Sequence, residues 1–163
     1  MKQQYPFNAY DNYLSLRQGI GFWLVLIFIF RPYVVMILSV ANKRDKLGLI
    51  KMVYTDHSLM GLGALGAIPA ILLLYAWFKR KPDAAEHVKK IWRNGKWILL
   101  LSLLINVVTA IMPAVMGKAT GLNVIGMLQI FISVLFIGYV FASQRLNDAF
   151  ADFPEKTEDD KKK

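Results

Sequence analysis

The sequence predicts an all-α membrane protein: a bundle of four transmembrane helices, with a short amphipathic helix at the membrane interface between the second and third. Three observations predict this. Of the 163 residues, 56% are hydrophobic, against about 45–50% apolar in a soluble domain. The excess sits in blocks, each near the ~20 residues that cross ~30 Å of hydrocarbon at ~1.5 Å per residue. The charges are pushed into the gaps between blocks, and Lys and Arg favour one side of the resulting topology.

The first eighteen residues carry Tyr5, Phe7, Tyr10 and Tyr13, rings suited to the lipid–water boundary. Span one runs from about residue 19 to 41 and is interrupted by Arg31-Pro32. A basic stretch follows, with Lys43, Arg44 and Lys46. Span two covers about 57–78. Gly63 and Ala67, like Gly66 and Ala70, are four apart in it, which puts small residues on one face where another helix can approach closely. Between spans two and three, Ala84, Ala85, Val88, Ile91 and Trp92 fall on one helical face, and Lys89, Lys90 and Arg93 lie towards another. That pattern reads as an amphipathic helix resting on anionic lipid headgroups. Span three, about 97–116, and span four, about 122–142, are separated by so few residues that they form an antiparallel hairpin. Leu146, Ala149, Phe150 and Phe153 keep helical spacing until Pro154 stops it. Residues 1–153 thus make one membrane domain, and 154–163 a charged, disordered cytoplasmic tail.

Orientation follows from counting Lys and Arg. The amino-terminal segment, the loop between spans two and three and the carboxyl-terminal segment together hold fourteen. The two remaining loops hold five, and Arg31 lies within a span. Both ends are therefore expected in the cytoplasm. A hairpin bent at Arg31-Pro32 would leave arms too short to span and put the most basic loop outside.

The same composition limits function. A net charge of +9 is accounted for by loops beside membrane spans, and no segment is left to recognise a nucleic acid. With no Cys, disulfides, thiolate metal sites and Cys nucleophiles are excluded. No carboxylate lies inside a span, His57 and His87 are far apart, and no nucleophile or phosphate-loop motif is present. No catalytic, cofactor-binding or metal-binding residue is expected.

Arg31 is the strongest chemical signal, because a cation inside a span costs from ~2.5 to over 10 kcal/mol. Either it snorkels to lipid phosphate or it makes an internal or partner contact. Ser102, Asn106 and Thr109 share a face of span three, and Gln129 and Ser133 share one of span four. Counting along straight helices brings Arg31, Asn106, Thr109 and Gln129 to a similar depth, as one polar cluster. The plainer reading is that the neutral groups bond across helices, at about 0.6–2 kcal/mol each.

Three short stretches carry a family likeness: Phe30-Arg31-Pro32, then Tyr54-Thr55-Asp56-His57, then Gly63 through Gly66 to Pro69. Over about Tyr5 to Met116 the sequence resembles the YfeZ-like family of small bacterial inner-membrane proteins, which carry a domain of unknown function. The family pattern has a Pro where Thr55 stands, and no residue like Ile68 between the small residues and Pro69. The resemblance implies a bacterial inner membrane, supplies no reaction, and singles out Arg31, Tyr54 and Asp56.

Three functions are weighed. The first is a non-enzymatic membrane component acting through helix–helix or partner contacts, as a homo-oligomer or with another membrane protein. The second is a small transporter or channel for an anionic or neutral solute, with Arg31 in the pathway. The third is a membrane enzyme using Asp56 and His57 at the outer mouth, beside Tyr54.

Overall fold

The structure, a computed structural model, describes residues 5–11, 13, 15–42, 48, 54, 57–117 and 124–154, without the side chains of 8 and 57–59. Among the described residues every regular element is helical, apart from an isolated antiparallel bridge between Tyr10 and Leu16. After a 3-10 turn at Phe7–Ala9 come α1 (Ile20–Ile29), α2 (Arg31–Ala41), α3 (His57–Gly66), α4 (Ile68–Phe78), α5 (Glu86–Arg93), α6 (Gly95–Val115), α7 (Val124–Ala142) and α8 (Gln144–Ala151).

Among the described residues three runs are long and apolar enough to cross a membrane: Met60–Phe78, Gly95–Val115 and Val124–Ala142. Span one, expected to be interrupted at Arg31-Pro32, is the pair α1 and α2, bent by 58° at Phe30. The cause is Pro32. It has no N–H to donate, and its ring crowds the carbonyl four residues back, so the helix restarts with proline in its first turn. Pro69 acts more gently. The Ala67 amide divides its bond between Gly63 and Ala64, 3.2 Å each, and α3 and α4 continue as one run.

The hub is α6, which packs on α1, α3, α4, α5, α7 and α8. Its buried residues, Gly95, Leu99, Leu103, Asn106 and Ala110 among them, recur at helical spacing. α7 lies antiparallel to it: Lys96 sits over the Phe141 ring, while Gln129 meets Asn106. Residues 118–123, the expected hairpin turn, lie outside the described residues, as do 155–163, the expected tail.

Small residues set the helix approaches. A Cβ built on Gly66 would overlap Ile105 of α6, and one on Gly21 would overlap the Tyr139 ring of α7. Ala67 and Ala70 are fully buried. The stripe Gly63, Gly66, Ala67 and Ala70 therefore faces protein: Gly66 meets α6, and Gly63 faces Pro32 of α2 and Tyr54. This close fit is attained by absence of side chains rather than by a polar bond.

The amphipathic pattern between the second and third apolar runs is the helix α5, but its apolar face is not free for lipid. Val88 and Trp92 are buried inside the chain, with the Trp92 ring edge-on to Phe150 at 5.2 Å. The reason is polar as well as apolar: the indole N–H finds the Ala149 carbonyl at 3.0 Å, with that of Asp152 at 3.3 Å. Lys90 and Arg93 stay exposed, and Lys89 bonds Glu86 at 3.0 Å.

Candidate functional site

The bend at Phe30 decides where Arg31 goes. Its Nε donates to the Tyr54 hydroxyl at 3.3 Å, and the guanidinium lies 5.0 Å from the Phe28 ring centre and 5.8 Å from that of Tyr54. Tyr54 is buried and packs beside Gly63, where a Cβ would stand 3.3 Å from Pro32 and 3.6 Å from the Tyr54 hydroxyl. Tyr33, two residues after Arg31, donates to the Ala64 carbonyl at 2.8 Å. Two aromatic faces and one hydroxyl thus replace part of the water the cation gave up.

Asn106, Thr109 and Gln129 do come together, without Arg31. Gln129 Nε2 donates to the Asn106 carbonyl at 2.7 Å and lies 3.4 Å from Thr109 Oγ1. Asn106 Nδ2 donates to the Ser102 carbonyl, Thr109 to the Asn106 carbonyl and Ser133 to the Gln129 carbonyl. The four-residue cluster is corrected to a three-residue one. Counting depth along straight helices fails for Arg31, because the 58° bend turns it towards Tyr54. What remains is a neutral staple between α6 and α7.

Of the outer-mouth set, Tyr54 is the partner of Arg31, Asp56 lies outside the described residues, and His57 is described only as the first residue of α3. Two positions read separately in the sequence, Arg31 and Tyr54, are therefore one site. Tyr54→Phe keeps the packing but removes the acceptor from a half-buried cation. It is expected to lose about 1–2 kcal/mol of stability in thermal unfolding, and Arg31→Leu/Tyr54→Phe to recover most of that loss in a double-mutant cycle.

A second constellation had no sequence signal. Arg80, just past α4, is buried. Nη1 donates to the Leu16 carbonyl and Nη2 to the Asp152 carbonyl, 3.1 Å each. Asp11 stands 3.8 Å away, and the Trp92 ring 4.8 Å from the guanidinium carbon. The Asp152 carboxylate accepts from the Leu16 amide at 2.6 Å, and Tyr5 donates to Asp148 at 2.8 Å. Burial lowers the pKa of Arg80 from its ordinary value, with Asp11 and Asp152 pulling it back up. Nothing local distinguishes Arg80 from Lys79 and Lys81. Its carbonyl partners lie 64 and 72 residues away in sequence, so only the folded chain reveals it.

A family model described as "Protein of unknown function (DUF2919)" matches residues 5–152. The chain belongs to this family. It is 25% identical over 146 residues to the inner membrane protein YfeZ of Escherichia coli (strain K12), covering 90% of this chain and 93% of that one. No solved structure matches the chain. Its apolar helical runs, together with its likeness to an inner membrane protein, make this member of DUF2919 an integral membrane protein. The match also extends well past Met116. It takes in α7, α8 and Asp152, and so the partners of Arg80 named above as well as Arg31 and Tyr54.

Proposed function

We propose that this chain is a four-span inner-membrane protein, with both ends in the cytoplasm, that works without catalysis through lateral contacts with its own copies or another membrane protein. One observation carries the reading. Several polar side chains in the apolar runs donate within the chain itself: Gln129 to Asn106, Thr109 within its own helix, Arg31 to Tyr54. What they leave for the surroundings is apolar helix surface, such as Phe131, Val134 and Leu135 on α7, above a basic cap.

The count of four rests on where the elements meet. Gly19 lies against Arg145, and Phe22 against Phe150, so α1 starts at the capped end. α2 packs on α3, which leads through α4 back to Arg80 in that cap. These contacts support a bent pair that carries the chain from one end of the bundle to the other. Its helices of 10 and 11 residues reach ~15 Å and ~16 Å, enough for one broken crossing. The excess of Lys and Arg in the capping segments favours the cytoplasmic side for that end, with α5 seated among the headgroups and Lys90 and Arg93 outward.

The test is capture of the tagged full chain from native membranes in mild detergent, with and without prior cross-linking. A defined oligomer or a stoichiometric membrane-protein partner supports the reading. Recovery of monomer alone, cross-linked or not, counts against it.

A further inference from the structure

At the capped end lies a cleft of about 430 Å³. Asp11, Tyr13, Arg17, Gln18 and Arg80 supply its polar lining, and Trp23 and Trp77 are its indoles. Three features of this lining point to a ligand. Both polar atoms of the Gln18 amide are buried with no hydrogen-bond partner, and so is Nε of Arg80, on a side chain only 5% exposed. Buried polar groups are nearly always paired, because each one left unpaired costs free energy. Both residues line the cleft, so an acceptor held there, with the Gln18 amide turned to it, would pair groups that are otherwise unpaired. The charge balance has the same sense. Arg17 and Arg80 outweigh Asp11, whose Oδ1 already accepts the backbone amides of Tyr13 and Ser15.

The position narrows the ligand. Trp23 is in the first turns of α1 and Trp77 in the last turn of α4, and their rings meet edge-to-face at 4.9 Å. Indoles at span ends belong at the level where acyl chains give way to headgroups. The polar part of the cleft thus opens beside an apolar wall at the depth of a lipid phosphate. Arg suits that group, because its planar fork can hold two phosphate oxygens at once.

We propose that this cleft binds a phosphoester anion, with the phosphate on Arg80 and Arg17, the Gln18 amide turned to it, and any attached apolar chain along Trp23 and Trp77. A phospholipid headgroup and a soluble phosphate ester share this chemistry; the two indoles favour the lipid. The site is separate from the lateral contacts proposed above and does not depend on them.

The experiment places the full chain in phosphatidylcholine nanodiscs and titrates in short-chain phosphatidylglycerol, glycerol phosphate or inorganic phosphate. Tryptophan emission and native mass spectrometry report binding. The expected result is saturable binding of phosphatidylglycerol, weakened about tenfold by Arg17→Glu and by Gln18→Leu. Gln18→Leu is also expected to raise the melting temperature, by about 2–4 °C, because it removes an unpaired buried amide. Weaker binding with greater stability is not what a merely structural Gln18 would produce. Should Arg17→Glu fail to fold, Gln18→Leu alone carries the test. Competition by the soluble esters at similar concentrations would assign the site to a free phosphoester, and preference for the lipid to a headgroup; either supports the anion cleft. Phosphatidylglycerol bound no better than phosphatidylcholine, or bound equally by wild type and the folded variants, overturns it.

Discussion

Replacing Arg80 with leucine is expected to destabilise the chain by about 3–5 kcal/mol, read as a large drop in melting temperature in detergent. The guanidinium joins three segments far apart in sequence: the amino-terminal strand-like segment through Leu16, the start of the loop before α5, and the end of α8 through Asp152. Leucine would leave the buried Leu16 carbonyl without its donor, at about 1–3 kcal/mol, would leave the Asp152 carbonyl only the longer bond from the Trp92 indole, and would strip Asp11 of its counter-charge. Lysine is expected to recover less than half of the loss. One ammonium cannot span two carbonyls and stack on Trp92 as a planar fork does. The apolar helices would stay inserted, because their burial does not depend on the cap. Limited proteolysis should therefore release the amino-terminal segment and α8 first. An Arg80→Leu variant that melts with wild type would mean that the cap does not fasten these segments.

Gly66→Val is the second large effect, expected at about 2–3 kcal/mol. A Cβ at position 66 would overlap the Ile105 side chain on α6, so α3 and α6 would have to move apart or Ile105 leave its rotamer. Gly61→Val, on the same helix with nothing within 4 Å of a Cβ, should change stability by less than about 0.5 kcal/mol. Trimming the neighbour should restore the fit, so Gly66→Val/Ile105→Ala is expected to melt above Gly66→Val alone. Equal losses at positions 61 and 66 would show a general intolerance of the helix rather than a close approach at Ile105.

The apolar blocks and the small-residue spacing made the helices and the Gly66 stripe legible, because both are local periodicities. Asn106, Thr109 and Gln129 were legible as a set for the same reason: helical spacing put them on facing sides of a predicted hairpin. Arg31 was legible as unusual but not as to destination. Pro32 signals a possible kink, while its angle, and with it the choice of Tyr54 over Asn106, depends on how α2 packs on α3. The apolar face of α5 was legible, yet amphipathicity does not say whether that face meets lipid or protein. Phe150 and the carbonyl ends of α8 decide this, and they lie about sixty residues downstream. Arg80 and the cleft it shares with Gln18 were not legible at all, since a buried cation and a solvated one leave the same letter in a basic loop.

The most direct test of the central claim, a four-span chain with a cytoplasmic cap, uses the absence of native cysteine. Single cysteines replace Lys2, Asn42, Ala84 and Lys118, one per variant, and are challenged with a membrane-impermeant maleimide in intact spheroplasts and after lysis. Asn42→Cys and Lys118→Cys should label in intact spheroplasts, and Lys2→Cys and Ala84→Cys only after lysis. Asn42→Cys protected alongside Ala84→Cys would mean that the bent pair re-enters rather than crosses, and labelling of Ala84→Cys in intact spheroplasts would invert the cap; either contradicts the claim.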